Sequence, residues 1–231
     1  MIIDCISDLH GHYPQLDGGD LLIVAGDLTK NGTLGAVNRF KDWIWDAGAN
    51  LYKKVVMIAG NHDNCIEDRT FFNEDKRFWE HPVVSYLEDT GTEFEGLKIW
   101  GSPWTAYFEG MNPHCMAFTI NAGCDTDDWL AEKWALIPED TDILITHSPI
   151  KGILDKTVSR ENVGSLSLKM AIWRMEKPPK LIVTGHIHEG YGIHREIWYQ
   201  YSEDVFEQII VNASHVNERY EPVNKPIRIE I

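Results

Sequence analysis

Leu21-Leu22-Ile23-Val24-Ala25-Gly26-Asp27 is an unbroken apolar run that ends on a glycine and a carboxylate. Five apolar residues without polar alternation read as a strand covered on both faces. A glycine at its end allows a turn that a Cβ would hinder. The carboxylate then stands where the strand gives way to a loop. The same order recurs along the chain. Ile2 to Ile6 is followed by Asp8-Leu9-His10, and Val55 to Ala59 by Gly60-Asn61-His62-Asp63. Ile143 to Ile145 leads to Thr146-His147, and Leu181 to Val183 leads to Gly185-His186-Ile187-His188.

Val83 to Leu87 and Leu97 to Trp100 read as further strands, and Ile193 to Tyr199, Glu207 to Val211 and Ile227 to Ile231 as weaker ones. Val37, Phe40, Ile44 and Ala47 recur at helical steps, with Gly48 stopping the pattern. Helices are also expected from about Asp127 to Leu136 and near Leu168 to Met175, the last ended by Pro178-Pro179. Strand–loop–strand–helix–strand comes first, then hairpin-like strands, then strand–helix–strand. That order predicts a layered α/β fold with a substantial antiparallel part. At 231 residues, without repeats or a low-complexity linker, residues 1–231 are expected to form one domain.

Composition narrows the function classes. Hydrophobic residues make up 43% and charged residues 25%, which excludes disordered and collagen-like chains. The net charge is −15, and no basic run is present that would grip a duplex, which argues against a large nucleic-acid interface. A small anionic substrate remains compatible, because divalent ions can reverse the local field. Cys5, Cys65, Cys115 and Cys124 form no CxxC pair and read as free thiols of a reducing, cytoplasmic compartment. No signal sequence and no membrane-spanning run is apparent. The sequence is silent on oligomeric state.

The loops at the carboxyl ends of strands in α/β sheets are where ligand sites collect. Five such ends here carry imidazole, carboxylate or amide donors. Asp-x-His alone is a weak signal; five strand ends in one order are a strong one. The donor set suits two divalent ions, Mn, Fe, Zn, Co or Ni with Mn favoured, rather than a soft thiolate site. Asp27 is the natural bridging carboxylate. Two ions about 3.5–4 Å apart can share a hydroxide and clamp a phosphoryl group during in-line displacement. Gly26, Gly60 and Gly185 would let the backbone approach closely.

Asp8-Leu9-His10, Gly26-Asp27, Gly60-Asn61-His62-Asp63, His147 and Gly185-His186-Ile187-His188 together resemble the signature of the calcineurin-like metallophosphoesterases. The resemblance implies two packed mixed β-sheets flanked by helices. It implies that Asp8, His10 and His188 hold one ion, that Asn61, His147 and His186 hold the other, and that Asp27 bridges. His62 would be the catalytic non-ligand, binding phosphate or protonating the leaving oxygen. Asp63 would orient its loop or merely stabilise a turn. Gly101-Ser102-Pro103-Trp104-Thr105, Leu154-Asp155-Lys156, Val163-Gly164, His188 to Gly192 and Asn212-Ala213-Ser214 resemble a small branch of fetal-brain-type metallophosphoesterase-domain proteins. That branch is associated with phosphodiester and cyclic-nucleotide hydrolysis. The stretch after Asp27 lacks the second Asp and the Arg of the related protein phosphatases, which argues against a phosphoprotein substrate.

The expected function is metal-dependent hydrolysis of small phosphodiesters, nucleotides among them. Phosphomonoesterase, short-strand nuclease and non-catalytic metal-bound binding protein stand as alternatives. Trp104, Tyr107 and Phe108 read either as a stacking wall or as core. Lys151, Lys156 and Arg160 read as phosphate contacts or as solvated surface. Glu189 and Tyr191 are candidates to orient imidazoles. Asn212 and His215 could approach from the C-terminal strand.

Overall fold

The computed structural model describes residues 1–70, 81–107, 114–120, 126–199 and 205–231. Two β-sheets are packed face to face. The first runs in the order β11-β1-β2-β3-β4. Its strands are β1 (Ile2–Ile6), β2 (Gly19–Ala25), β3 (Tyr52–Ile58), β4 (Val84–Tyr86) and β11 (Ile227–Glu230). β1 to β4 pair parallel, and β11 adds an antiparallel edge on β1. The second sheet runs β5-β6-β7-β8-β10-β9. It contains β5 (Thr90–Phe94), β6 (Leu97–Ser102), β7 (Ile143–Thr146), β8 (Leu181–Thr184), β9 (Gly192–Tyr199) and β10 (Val205–Asn212). β6, β7, β8 and β10 are parallel neighbours, with antiparallel β5 and β9 at the edges. Both sheets are therefore mixed, as expected.

The unalternated apolar runs are explained by three apolar layers. Ile3, Leu21, Ile23 and Val56 of the first sheet meet Ile143, Ile145, Leu181 and Val211 of the second between the sheets. On the outer face of the first sheet, Leu22, Val24 and Val55 pack against Val37 and Phe40 of α1 (Leu34–Trp43). On the outer face of the second, Leu144, Ile182 and Ile210 pack against Leu130 of α4 (Thr126–Trp134) and Leu168 and Ile172 of α5 (Leu166–Arg174). Successive residues on a strand thus face different cores, and neither face can be polar. The helices start on hydroxyl caps: Thr33 accepts the Ala36 N–H and Ser165 the Leu168 N–H.

One local expectation needs correction, and two elements were not anticipated. Gly48 does not stop a helix. The chain passes from α1 through a π-helical turn, Ile44–Gly48, into α2 (Ala49–Leu51). Gly48 is there for closeness, since a Cβ would lie 2.8 Å from Ile44 Cδ1. The polar segment Thr90–Phe94 is a strand, joined to β6 through Glu95 and Gly96, both at positive φ, as in a tight primed hairpin turn. The shorter helix α3 (Asn64–Glu67) follows Asp63 directly. Among the described residues no helix is long and apolar enough to cross a membrane.

Candidate metal and phosphoester site

Parallel pairing puts the carboxyl ends of β1, β2 and β3 side by side, and β7 and β8 bring theirs to the same end. Backbone hydrogen bonds lock the loops together. Asp8 N–H donates to the Gly26 carbonyl at 3.0 Å and His10 N–H to the Asp27 carbonyl at 3.1 Å. Ser7 N–H donates to the Ala213 carbonyl at 2.8 Å, joining the end of β1 to the end of β10. Asp8, His10, Asp27 and His186 all have φ between 45° and 69°. Left-handed backbone is costly for such residues and gathers where the surroundings over-determine it.

All eight anticipated side chains converge. His10 Nε2 and His188 Nε2 are 3.1 Å apart, and His188 Nε2 is 3.4 Å from Asp8 Oδ1. Asn61 Oδ1 lies 3.1 Å from His147 Nε2 and 2.9 Å from His186 Nδ1. Asp27 stands between these two groups, with Oδ2 3.6 Å from His10 Nε2 and Oδ1 3.4 Å from His147 Nε2. Donors around one ion, each about 2.0–2.2 Å from it, are themselves separated by about 3.0–3.6 Å. The observed spacings fit that requirement. Three overlapping sets, Asp8/His10/His188, His10/Asp27/His62 and Asp8/Asp27/His147, bring ligand atoms within 4.8 Å of one another. The His186 ring joins through Asn61, and the residue's backbone N–H donates to both Asp8 oxygens at 3.0 Å.

His62 is placed differently. Its Nδ1 lies 2.8 Å from the Lys30 carbonyl, and its Nε2 is 3.9 Å from Asp27 Oδ2. Its backbone N–H donates to Asp27 Oδ1 at 2.8 Å.

Electrostatics favour a cation here. Two carboxylates, Asp8 and Asp27, are fully buried. Burial alone would neutralise Asp8, but the hydrogen bond and charge of His188 hold its carboxyl well below the usual range. Burial also opposes charge on Asp27, and the surrounding histidines outweigh it. Burial pushes His10 and His186 down to about 3, so both are neutral imidazoles, the ligand form. For His62 and His147 burial is overcome chiefly by Asp27, which pushes them up to about 10 and about 9.

A second tier of groups fixes the donors. The Ala25 carbonyl meets His147 Nδ1 at 2.9 Å, and the Asn217 carbonyl meets His188 Nδ1 at 3.0 Å. Ser214 Oγ donates to Asp8 Oδ2 at 2.7 Å, and Asn212 Nδ2 donates to the Ile187 carbonyl at 2.8 Å. Backbone carbonyls thus orient the imidazoles where Glu189 and Tyr191 were anticipated. Glu189 accepts the Val158 N–H and Tyr191 donates to the Lys225 carbonyl. Asp63 accepts from Leu28, Thr29 and Gly60, so it ties the loop after β2 to the loop after β3. Ser214, Asn217 and Tyr220 were missed. Ser214 lay inside a quoted motif, and the other two carry no sequence signal.

The site opens into a cavity of about 550 Å³. Asp27, Asn61, His62, His186 and His188 line it, and so do Tyr107, Val158, Glu161, Glu189, Glu218 and Tyr220. Trp104 is core: it packs edge-on against Phe118 and Trp129 and donates to Asp89. Phe108 and Cys124 fall outside the described residues. Lys151 donates to the Asn162 carbonyl, and none of Lys151, Lys156 and Arg160 lines the cavity. His215 meets the Asn224 carbonyl instead of the site.

Comparison with known proteins supplies the family and the fold. The model of the calcineurin-like phosphoesterases matches residues 1–190. The chain is 35% identical to human metallophosphoesterase domain-containing protein 1, over 98% of this chain and 70% of that one. It is 26% identical to a cAMP/cGMP dual specificity phosphodiesterase of Mycobacterium tuberculosis, over 73% of this chain and 48% of that one. The solved structure of TT1561 of Thermus thermophilus has the same fold, with a TM-score of 0.59 at 17% identity, covering 91% of this chain and 88% of that one.

Proposed function

Because this chain belongs to the calcineurin-like phosphoesterase family, we propose that it is a two-metal phosphodiesterase acting on small phosphodiesters, nucleotides among them. The observation that carries the reading is Asp27, whose two carboxylate oxygens face two separate groups of nitrogen donors. Asp8, His10 and His188 would hold one divalent ion, and Asn61, His147 and His186 the other, with manganese our first choice. Bound there, the ions would supply Lewis-acid charge at the phosphorus.

The chain's own groups have distinct tasks. His62 borders the cavity, its Nδ1 is held by the Lys30 carbonyl, and its remaining nitrogen can deliver a proton to the leaving oxygen. Glu161, Glu189 and Glu218 line the cavity, and no Lys or Arg does so among the described residues. Such walls repel substituents that carry further negative charge. This favours a diester with one charge over polyphosphates and oligonucleotides. A cyclic-nucleotide phosphodiesterase among the relatives points the same way.

The test is a panel of diesters, monoesters and oligonucleotides offered to the manganese-loaded chain. A diester should be the best substrate, and Asp27→Asn should abolish its turnover. His62→Ala should slow it about 10²–10⁴-fold. The loss should be smaller when the leaving group is p-nitrophenolate, which needs little protonation. Wild-type rates in either variant would overturn the reading. Bound metal without turnover across the panel would make the chain a binding protein instead.

A further inference from the structure

The turn from Asn217 to Glu221 lies beyond the residues that the family model matches, yet it delivers a side chain into the site. Asn217 ties this turn to itself. Its Nδ2 donates to Glu221 Oε2 at 2.8 Å, and its Oδ1 accepts the N–H groups of Arg219 and Glu221 at 2.9 and 3.0 Å. Its carbonyl is also the partner of His188 Nδ1, so turn and imidazole are held in one register. Tyr220 sits at φ 60°, a left-handed conformation that resists a side chain of this size. Its ring stands edge-on to His10 at 4.8 Å and to His188 at 5.1 Å, and tilted to His62 at 6.0 Å between centroids. The ring belongs to none of the three apolar layers. It is half-buried and lines the cavity beside the imidazoles of His10, His62 and His188.

We propose that Tyr220 is a specificity-determining residue: its ring selects phosphodiesters whose second ester group is flat, an aryl or nucleobase-bearing group, over small alkyl groups. The proposal rests on the phosphodiesterase reading above. An aromatic side chain is the residue type that discriminates this way. It offers a face to any planar group, and the attraction does not depend on the pattern of hydrogen-bonding atoms. Tyr107 and Val158 add apolar surface to the lining of the same cavity.

Two probes share one leaving group, p-nitrophenolate. They are p-nitrophenyl thymidine 5′-phosphate and methyl p-nitrophenyl phosphate. The manganese-loaded wild type should have the lower KM for the thymidine ester. Tyr220→Ala should raise that KM roughly tenfold more than it raises the KM for the methyl ester. Tyr220→Phe should restore the preference. A role in packing alone would lower kcat for both probes together and lower bound manganese, measured by elemental analysis on the same samples. An equal change for the two esters, or no change, overturns the proposal. Calorimetric binding of both esters separates the two readings. Preferential binding lost in Tyr220→Ala without any turnover would sink the phosphodiesterase reading and uphold Tyr220. Turnover without preference would do the reverse.

Discussion

The strain at this site is concentrated in the residues that carry its chemistry. Asp8, His10, Asp27 and His186 all adopt left-handed backbone, which costs on the order of 1–3 kcal/mol per non-glycine residue. Rigid loops are the return on that cost, because a ligand set must be held to a few tenths of an ångström to select its ion. Gly60 shows how little room is left. A Cβ there would stand 2.4 Å from Asp27 Oδ1 and 2.7 Å from His147 Nε2. Both side chains are held in place, Asp27 Oδ1 by the His62 N–H and His147 Nδ1 by the Ala25 carbonyl, so making room for a Cβ would pull them out of register. Gly60→Ala should therefore leave the fold intact by circular dichroism while lowering manganese affinity at least about tenfold, as displaced support of ligands typically does. Isothermal titration with manganese reads this directly, and unchanged affinity would show that the site makes room for the methyl group without displacing its ligands.

At the scale of elements, Asp63 matters more than its position outside the ligand set suggests. Its buried carboxylate accepts four hydrogen bonds, from the N–H groups of Leu28, Thr29 and Gly60 and from the Thr29 hydroxyl. It is the clamp between two loops that contribute Asp27, Asn61 and His62. A bare buried donor costs about 1–3 kcal/mol, and water entering the vacated space would satisfy some of the four. Asp63→Ala should thus cost about 3 kcal/mol in urea unfolding, and Asp63→Asn visibly less; equal stability in all three proteins would show that the loops hold without it. The contrast between Asp63 and Tyr220 marks what was legible in the sequence. Asp63, Asp27 and His62 act on neighbours one or two strands away, in frames that begin at an apolar run, so strand-end reading found their region. The apolar runs themselves revealed two-sided burial, which required outer helices as well as paired sheets. β5 was not legible because Thr90 and Gly91 are exposed on an edge and need no apolar pattern. Gly48 misled because a glycine chosen for close packing looks the same as one that ends a helix. Asn217 acts on His188 across 29 positions of chain, through a backbone carbonyl that any residue would own.

At the scale of the whole molecule, the last strands complete both sheets. β10 lies inside the second sheet between β8 and β9, and β11 forms the antiparallel edge of the first beside β1. Their buried side chains Ile209, Ile210, Val211, Ile227 and Ile229 feed two of the three apolar layers. The segment between them supplies Ser214 to Asp8 and the Asn217 carbonyl to His188. Residues 1–190 hold all eight anticipated metal and catalytic side chains, and they are also the part that the family model matches. Possession of the motif is nevertheless a weaker requirement than a formed site. Burying each of those five side chains contributes about 1.5–3 kcal/mol, so losing them removes roughly 7–15 kcal/mol. A domain of this kind has only about 5–15 kcal/mol of net stability to lose. A chain cut after Gly190 should accordingly show no cooperative urea transition, no near-ultraviolet dichroism from packed aromatics and no stoichiometric manganese binding. A cooperative transition in that fragment would mean that β1 to β8 form a self-sufficient core, and the C-terminal strands would then be reduced to carriers of Ser214, Asn217 and Tyr220.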